Sequence, residues 1–494
     1  MSTGTTIDSN KVGLRYAEEV LGSIGVLPTG PDPDWNPLEP NTYGEFGPQI
    51  SQVARNPINK SRQRKKGVVV DLDASAGFQS DFLQKSMYDL MQGFMFADWR
   101  EKVNTEPTAV SGTGYTVGAA ASDYDANDLV FAEGFTNSGN NGLKLVTGTT
   151  GTSVQVSGLT AEASPPSGAK ITKVGAQATA GDVAVDVSGS DPKLTATTLD
   201  FTDLGLIPGE WLFIGGDALA NKFDTAADNG FARVKSVSAG ELVLDRQPST
   251  MVADAGTGKT IRLFVGHVIK NEFDESLIKC RSYQFERTLG SAGFEYVKGA
   301  VANTMEIAIN TADKITVDLG FVGIDAETRT VGDGEKPGAR PDLPEEEAFN
   351  SSSDFSRLRL LNEDTAQTLA TYLTEMRITI DNGVRPNKAI SQLGAIGVSA
   401  GDFMAAGSVT AYFDDVAAMS AVRNNDDVSL DFALVKSNAG WLFDLPLVSM
   451  GDGRLNVEKD QSIKIPLTME GAEHPTLHHT LLAGSFTYLP NAAM

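Results

Sequence analysis

Residues 304–323 read TMEIAINTADKITVDLGFVG. Met305, Ile307 and Ile309 alternate with more polar neighbours, and after a short polar break Val317, Leu319 and Phe321 do the same. A period of two puts one side of each run on a core and the other toward solvent, so the stretch predicts two β-strands. The first run, MEIAIN at 305–310, is echoed by MRITID at 376–381. This likeness suggests a duplicated domain, which would account for the chain's length.

The pattern extends in both directions. Downstream, TEMRITIDNG (374–383), GSVTAYFDD (407–415), DVSLDFALVKSNAGWLFDLPLV (427–448) and QSIKIPLTMEG (461–471) read as further strands, with one short helix around Val416–Val422. Upstream, residues 106–200 turn rich in Gly, Thr, Ser, Ala and Val, as in VSGTGYTVGAAAS (110–122) and GDVAVDVSG (181–189). Short β-prone runs between turn residues fit an all-β stretch. GEWLFIGG (209–216), GFARVKSVSAGELVLDRQ (230–247) and GKTIRLFVGHVI (258–269) then suggest a small barrel of hairpins.

Nearer the N-terminus, VVVDLDASAGF (68–78) reads as a strand. A helix should follow, carrying Phe82, Leu83, Met87, Leu90, Met91, Phe94 and Met95 at helical spacing behind Ser80 or Asp81 as N-cap. That methionine and aromatic stripe is expected to pack on a sheet. GVLPTGPDPDWNPLEPNTYG (25–44) is too rich in proline for a helix or central strand, and residues 1–35 are expected to form an extended arm. VGDGEKPGARPDLPEEEAFNSSSDF (331–355) reads as a long loop, of a length usually kept for function.

The chain has 494 residues, 41% hydrophobic and 21% charged, which suits several folded domains. No run approaches the ~20 apolar residues of a membrane helix, and the opening residues predict no signal peptide. Cys280 is the sole cysteine, so no internal disulfide is expected. The acid excess, 64 Asp and Glu against 40 Lys and Arg, gives a net charge of −24 and opposes non-specific nucleic-acid binding. Against that background Arg62, Arg64, Lys65 and Lys66 form one basic cluster.

Several stretches imitate catalytic or ligand motifs and fail on detail. AGTGKT (255–260) lacks the first glycine of a phosphate-binding loop, since the position holds Ala253, and a strand follows it; it predicts a hairpin turn. DYDAND (123–128) places Asp128 where a calcium loop needs glycine and Gly134 where it needs an acid. Of the four histidines, His474, His478 and His479 are crowded in EHPTLHH, where Pro475 interrupts any helix that would align ligands; with His267 they are expected to be structural or surface residues. No nucleophile elbow or Cys–His pair is evident. No catalytic residue, metal site or cofactor is expected, and the chain does not read as an enzyme.

Residues 38–82, LEPNTYGEFGPQISQVARNPINKSRQRKKGVVVDLDASAGFQSDF, with the helix after them, resemble the opening of major tail tube proteins of long-tailed bacteriophages, in particular the large type of flagellum-seeking siphophages. The strands from MRITIDNGVRPNKAI (376–390) to QSIKIPLTMEG resemble the closing strands of the same proteins. The resemblance covers roughly 36–105 and 280–490 and leaves 106–265 as an insertion. It implies a mainly β fold of tail-tube-like β-sandwich or barrel domains, duplicated, with short flanking helices and an inserted small all-β domain. The expected organisation is an arm at 1–35, one tube-like domain from 36–105 plus 266–330, an outward-facing lobe at 106–265, a linker at 331–355 and a second tube-like domain at 356–494.

The implied function is a structural virion protein, made in the host bacterial cytoplasm, that self-assembles into stacked rings forming the tail tube. Length and the 305/376 echo favour three chains per ring with pseudo-sixfold symmetry over six chains. Its partners would be itself and other tail proteins at the tube ends, with genome DNA passing through the acidic lumen without specific binding. Arg62, Arg64, Lys65 and Lys66 are candidates to meet Glu345, Glu346 and Glu347 of the next ring, while arms and the 331–355 loop reach across. A tail-tip or surface adhesin built from β-sandwich recognition modules is the alternative, and a polysaccharide-degrading enzyme the third reading.

Overall fold

The computed structural model describes residues 6–30, 33–58, 60–363, 365, 367–370 and 372–493. Its first elements are β1 (Val12–Glu18), β2 (Asn36–Leu38), β3 (Pro40–Arg55), β4 (Lys65–Asp81) and helix α1 (Ser86–Met95). Asn104–Val265 carries β5–β17. Then come β18 (His267–Lys270), β19 (Ser282–Leu289), β20 (Gly293–Asn310), β21 (Thr316–Gly323) and β22 (Asp325–Thr330). The remainder holds β23 (Phe355–Asn362), β24 (Gln367–Thr368), β25 (Leu373–Asp381), β26 (Arg385–Lys388), β27 (Ala395–Ser399), β28 (Met404–Tyr412), α2 (Ala417–Asn424), β29 (Val428–Lys436), β30 (Ala439–Asp452), β31 (Lys464–Gly471) and β32 (Leu482–Phe486). The chain is mainly β, with large antiparallel sheets and no closed barrel.

One strand arrangement occurs twice. In the first, β3 pairs with β4, β4 with β21, β21 with β20, β20 with β19 and β22, and β19 with β1. In the second, β25 pairs with β28, β28 with β31, β31 with β30, β30 with β29 and β32, and β29 with β23. The registers agree as well. Asp81 faces Thr316 where Tyr412 faces Lys464, a shift of 331 in one strand and 148 in the other. The same shift of 331 carries the start of α1 at Ser86 to that of α2 at Ala417. A bulge between Tyr283 and Phe285, opposite Ala300 and Val297, has its counterpart between Val428 and Leu430, opposite Val448 and Leu445.

This arrangement corrects the meaning of the 305/376 echo. MEIAIN and MRITID are not equivalent positions of the two repeats. They are direct neighbours, since β20 pairs antiparallel with β25, setting Met305 against Ile380, Ile307 against Ile378 and Ile309 against Met376. All six side chains are buried in one core. Adjacent strands that alternate over the same core converge on similar residues without sharing an origin. The repeats are therefore joined edge to edge by the C-terminal half of β20.

The helix stripe packs as its periodicity requires, with Phe82, Leu83, Met87, Leu90, Met91, Phe94 and Met95 all buried. Its start differs from expectation: Ser80 and Asp81 end β4, and Lys85 occupies the N-cap without a side-chain cap. Within the segment expected to be an arm, β1 lies between β19 and β2. The buried Glu19 carboxylate accepts from Gly25 N (2.6 Å), Gly299 N (3.0 Å) and Ser282 Oγ (2.5 Å). Residues 1–5, 31 and 32 of that segment lie outside the described residues.

Strands β5–β17 form their own sheet, open at both ends, so the barrel expected from the hairpins does not close. The lobe is seated on the second repeat. Leu129, Val174, Trp211, Phe213, Phe231 and Phe264 share a core with Ala433, Val435, Leu442, Leu482 and Phe486. At the seam Arg233 binds Asp444 (2.9 Å) and Asp245 (3.0 Å), and Trp211 Nε1 donates to Asp444 at 2.8 Å. Burial alone would raise the pKa of Asp444; the Arg233 guanidinium reverses this and holds the carboxylate charged. Arg357 pairs with Asp431 beneath the lobe and donates to Phe231 O (3.2 Å).

Two predictions follow from this seam. Arg233→Ala leaves Asp444 buried without its counter-ion and should lower unfolding stability by about 3–5 kcal/mol; in chemical denaturation a loss under about 1 kcal/mol would show that the lobe is not anchored here. Burial pushes His267 and His479 down from the usual 6.5 to about 4. The unfolded chain then takes up protons that the folded chain refuses, so stability is lost as pH falls from about 6.5 to about 4, by on the order of 3 kcal/mol per histidine. Denaturation midpoints measured across that window should fall less in His479→Gln than in the wild type, and identical slopes would refute the assignment.

Candidate assembly interface

Half of β3 and half of β4 leave the core. Toward α1, residues 72, 74, 76, 78 and 80 of β4 are buried alternately; from Lys65 to Val70 no residue is buried. The partner residues Pro48–Arg55 of β3 are exposed throughout. The outcome is a two-stranded ribbon projecting from the first repeat, with Ile50, Val53, Val68, Val69 and Val70 each about half exposed. A ribbon of two strands is marginal alone in water. Rows of exposed β-branched residues are normally avoided unless another surface covers them.

The basic cluster sits at the tip of this ribbon. Arg62 and Arg64 lie in the loop, Lys65 and Lys66 open β4, and all four are exposed. Arg62 has a left-handed backbone (φ 57°), as a tight turn demands. The acidic run lies at the other end of the same hairpin. Glu346 accepts from the backbone N of Lys85 at 2.8 Å, Glu347 is 3.6 Å from Lys436, and Glu345 is exposed. At ~3.3 Å per residue, the length of β4 separates the two groups by on the order of 50 Å. Within one chain they do not meet.

The 331–355 loop is held by its own chain. Arg15 donates to Pro341 O (2.8 Å), buried Trp35 donates through Nε1 to Pro337 O (3.1 Å), and Arg340 pairs with Glu286 (2.6 Å). Phe349 enters the main core, with Ile315 N donating to its carbonyl at 2.8 Å. The segment read as a long loop or linker thus lies as a strap along its own chain.

The second repeat has a smaller hairpin, β26–β27, in the place of the ribbon. It leans on the ribbon's base: Leu72 N donates to Leu393 O (3.0 Å), and Lys388 binds Asp71 (2.6 Å) and Asp73 (2.8 Å). Ile390 and Ile396 on it remain exposed. Sequence reasoning missed these apolar surfaces. Val68–Val70 read simply as the start of a strand, and only the lack of alternation in that triplet signalled exposure on both faces.

The motif mimics have structural roles. Asp128 pairs with buried Lys173 at 2.8 Å, and AGTGKT forms a turn before β17. His267 accepts from Lys102 N at 3.1 Å, and buried His479 contacts Leu477 O at 3.0 Å. Among the described residues no cluster of His, Cys, Asp or Glu could hold a metal ion, and no helix is long and apolar enough to cross a membrane.

No curated protein matches the chain at a significant level. A family model described as phage tail tube protein matches residues 9–471, spanning both repeats, the lobe and the ribbon. The chain belongs to the phage tail tube protein family, as a structural component of the virion tail.

Proposed function

We propose that copies of this chain assemble into stacked rings that form the tail tube and conduct genome DNA, with the β3–β4 ribbon reaching from one ring onto the next. The observation that carries this reading is the ribbon itself, a projecting pair of strands whose valines and isoleucines lack cover. Two repeats per chain favour three chains per ring. Three chains carry three times −24, or −72. An acidic lumen would repel the DNA backbone over a Debye length, ~8 Å at physiological salt, and keep it mobile. The lobe would face outward, away from that path. Synthesis in the host cytoplasm and contacts with other tail proteins at the tube ends belong to the same reading.

Magnitudes decide how the ribbon works. Covering one half-exposed Val or Ile is worth about 1 kcal/mol, whereas an exposed ion pair yields about 0.2–1 kcal/mol and is screened by salt. The apolar ribbon therefore supplies the stacking affinity. Arg62, Arg64, Lys65 and Lys66 meet acidic groups such as Glu345 and Glu347 of the next ring, setting encounter rate and register. The distance separating the two clusters within a chain suits such contact between stacked copies.

Electron microscopy of the concentrated, untagged protein should show hollow tubes of stacked rings. Val68→Asp with Val70→Asp should abolish tubes without lowering the monomer's unfolding midpoint. Reversing the four basic residues should slow assembly and weaken its salt dependence. Tubes unaffected by the aspartate pair would remove the ribbon from stacking, and a wild-type protein that never self-associates would overturn the reading.

A further inference from the structure

Resting on the tube-subunit reading, we infer that the junction between the repeats inside one chain is reproduced between chains, with the end of β30 pairing to the outer edge of β3 in a second copy. Inside the chain, Thr304–Asn310 of β20 pairs antiparallel with Glu375–Asp381 of β25. The repeat registers carry the first segment to Gly451–Glu458, where a bulge after Gly453 restores the shift of 148 at the Asn456–Lys464 bridge, and the second to Thr42–Gln49 on β3. Neither segment has a strand partner on the equivalent edge among the described residues: β3 pairs with β4 alone, and β30 ends at Asp452.

The segment after Asp452 is already laid out for an added strand. Gly453 N donates to Pro466 O (3.0 Å), and Asn456 bridges Lys464, the counterpart of the Ala308–Thr316 pair. Leu455 packs on the core as its counterpart Ile307 does. The next apolar position shows what is missing: Val457 is 68% exposed, whereas its counterpart Ile309 is 6% exposed. On the other edge, Tyr43 and Phe46 occupy the places of Met376 and Ile378 and are held by Arg287, which lies 5.2 and 4.4 Å from their rings. The Tyr43 hydroxyl is buried with no hydrogen-bond partner among the described residues.

Charge supports the same match. Across the internal junction Glu306 binds Arg377 at 2.5 Å on the outer face. The register carries Glu306 to Gly453, which bonds Pro466 where Glu306 faces Asp318, and Arg454 follows in a bulge before Asn456; the counterpart of Arg377 falls at the bulge formed by Gly44 and Glu45. With bulge set against bulge, Arg454 of one copy would lie beside Glu45 of the next, an ion pair of the opposite sense to Glu306–Arg377. Both side chains are exposed, and neither enters an ion pair among the described residues. Because two different edges meet, the contact is head-to-tail, the kind that generates rings when its rotation closes.

Cysteine cross-linking tests the register. Asn456 and Glu45 would stand directly opposite, with Cα atoms ~4.5–5.5 Å apart, within disulfide range. Full-length protein carrying Cys280→Ser, Glu45→Cys and Asn456→Cys should give cross-linked multimers on oxidation once tubes have formed, and a Glu45→Cys, Asp452→Cys pair should give far fewer. Glu45→Arg or Arg454→Glu alone should raise the concentration needed for assembly by about tenfold, and the double exchange should restore it. Tubes that form without cross-links at 45/456 overturn this junction while leaving the tube reading intact. Absence of any self-association, in the wild type as well, overturns both.

Discussion

Everything else in this molecule is arranged around the antiparallel pairing of β20 with β25. β20 is 18 residues long, and its two halves do different work. The N-terminal half belongs to the first repeat, between β19 and β22, while the C-terminal half lies between β21 and β25. Backbone groups at a sheet edge need partners, and here each repeat supplies the other's. The joint makes one continuous sheet of two units and, among the described residues, leaves the outer edge of β3 and the end of β30 without a strand partner. A subunit built this way is half of a longer series, which is why its internal geometry bears on assembly.

The lobe and the strap address different constraints. By seating Trp211, Phe213 and Phe231 over Leu442 and Phe486, the lobe removes an apolar sheet face from water. Removing the lobe would uncover that face and leave Asp444 without its Arg233 partner. A buried Arg–Asp pair adds little net stability relative to apolar packing. Its value lies in the penalty for misplacement, which fixes how the lobe sits. The strap at 331–355 is tied to the first repeat through Trp35 and Arg340 and to the second through Lys436, which donates to Ala348 O, and Val435 N, which donates to Asp354 O.

Local pattern made the strands and their buried faces legible, because alternation such as Met305, Ile307, Ile309 is imposed by the core itself. The insertion stood out by composition. The repeat was not legible: α1 reads SMYDLMQGFM and α2 AAMSAVRN, and register is kept by backbone pairing that many sequences satisfy. The one visible echo was misleading, since it marked strands that touch. The basic cluster was conspicuous and proved to lie at a ribbon tip, but its acidic counterpart was sought in a run that the same chain partly engages through Lys85 and Lys436. Glu45 and Arg454 carried no signal at all, because an isolated charge acquires meaning only once the registers are aligned.

Hydrogen exchange on monomer and assembled tube tests the central claim most directly. Amides of 304–310 and 375–381 should be protected in both states. Within 42–49 and 453–458, the amides that face away from β4 and β31 should exchange quickly in the monomer and become comparably slow in the tube. Equal, rapid exchange of those outward-facing amides in both states would contradict the account, since tubes would then be held together by some other edge.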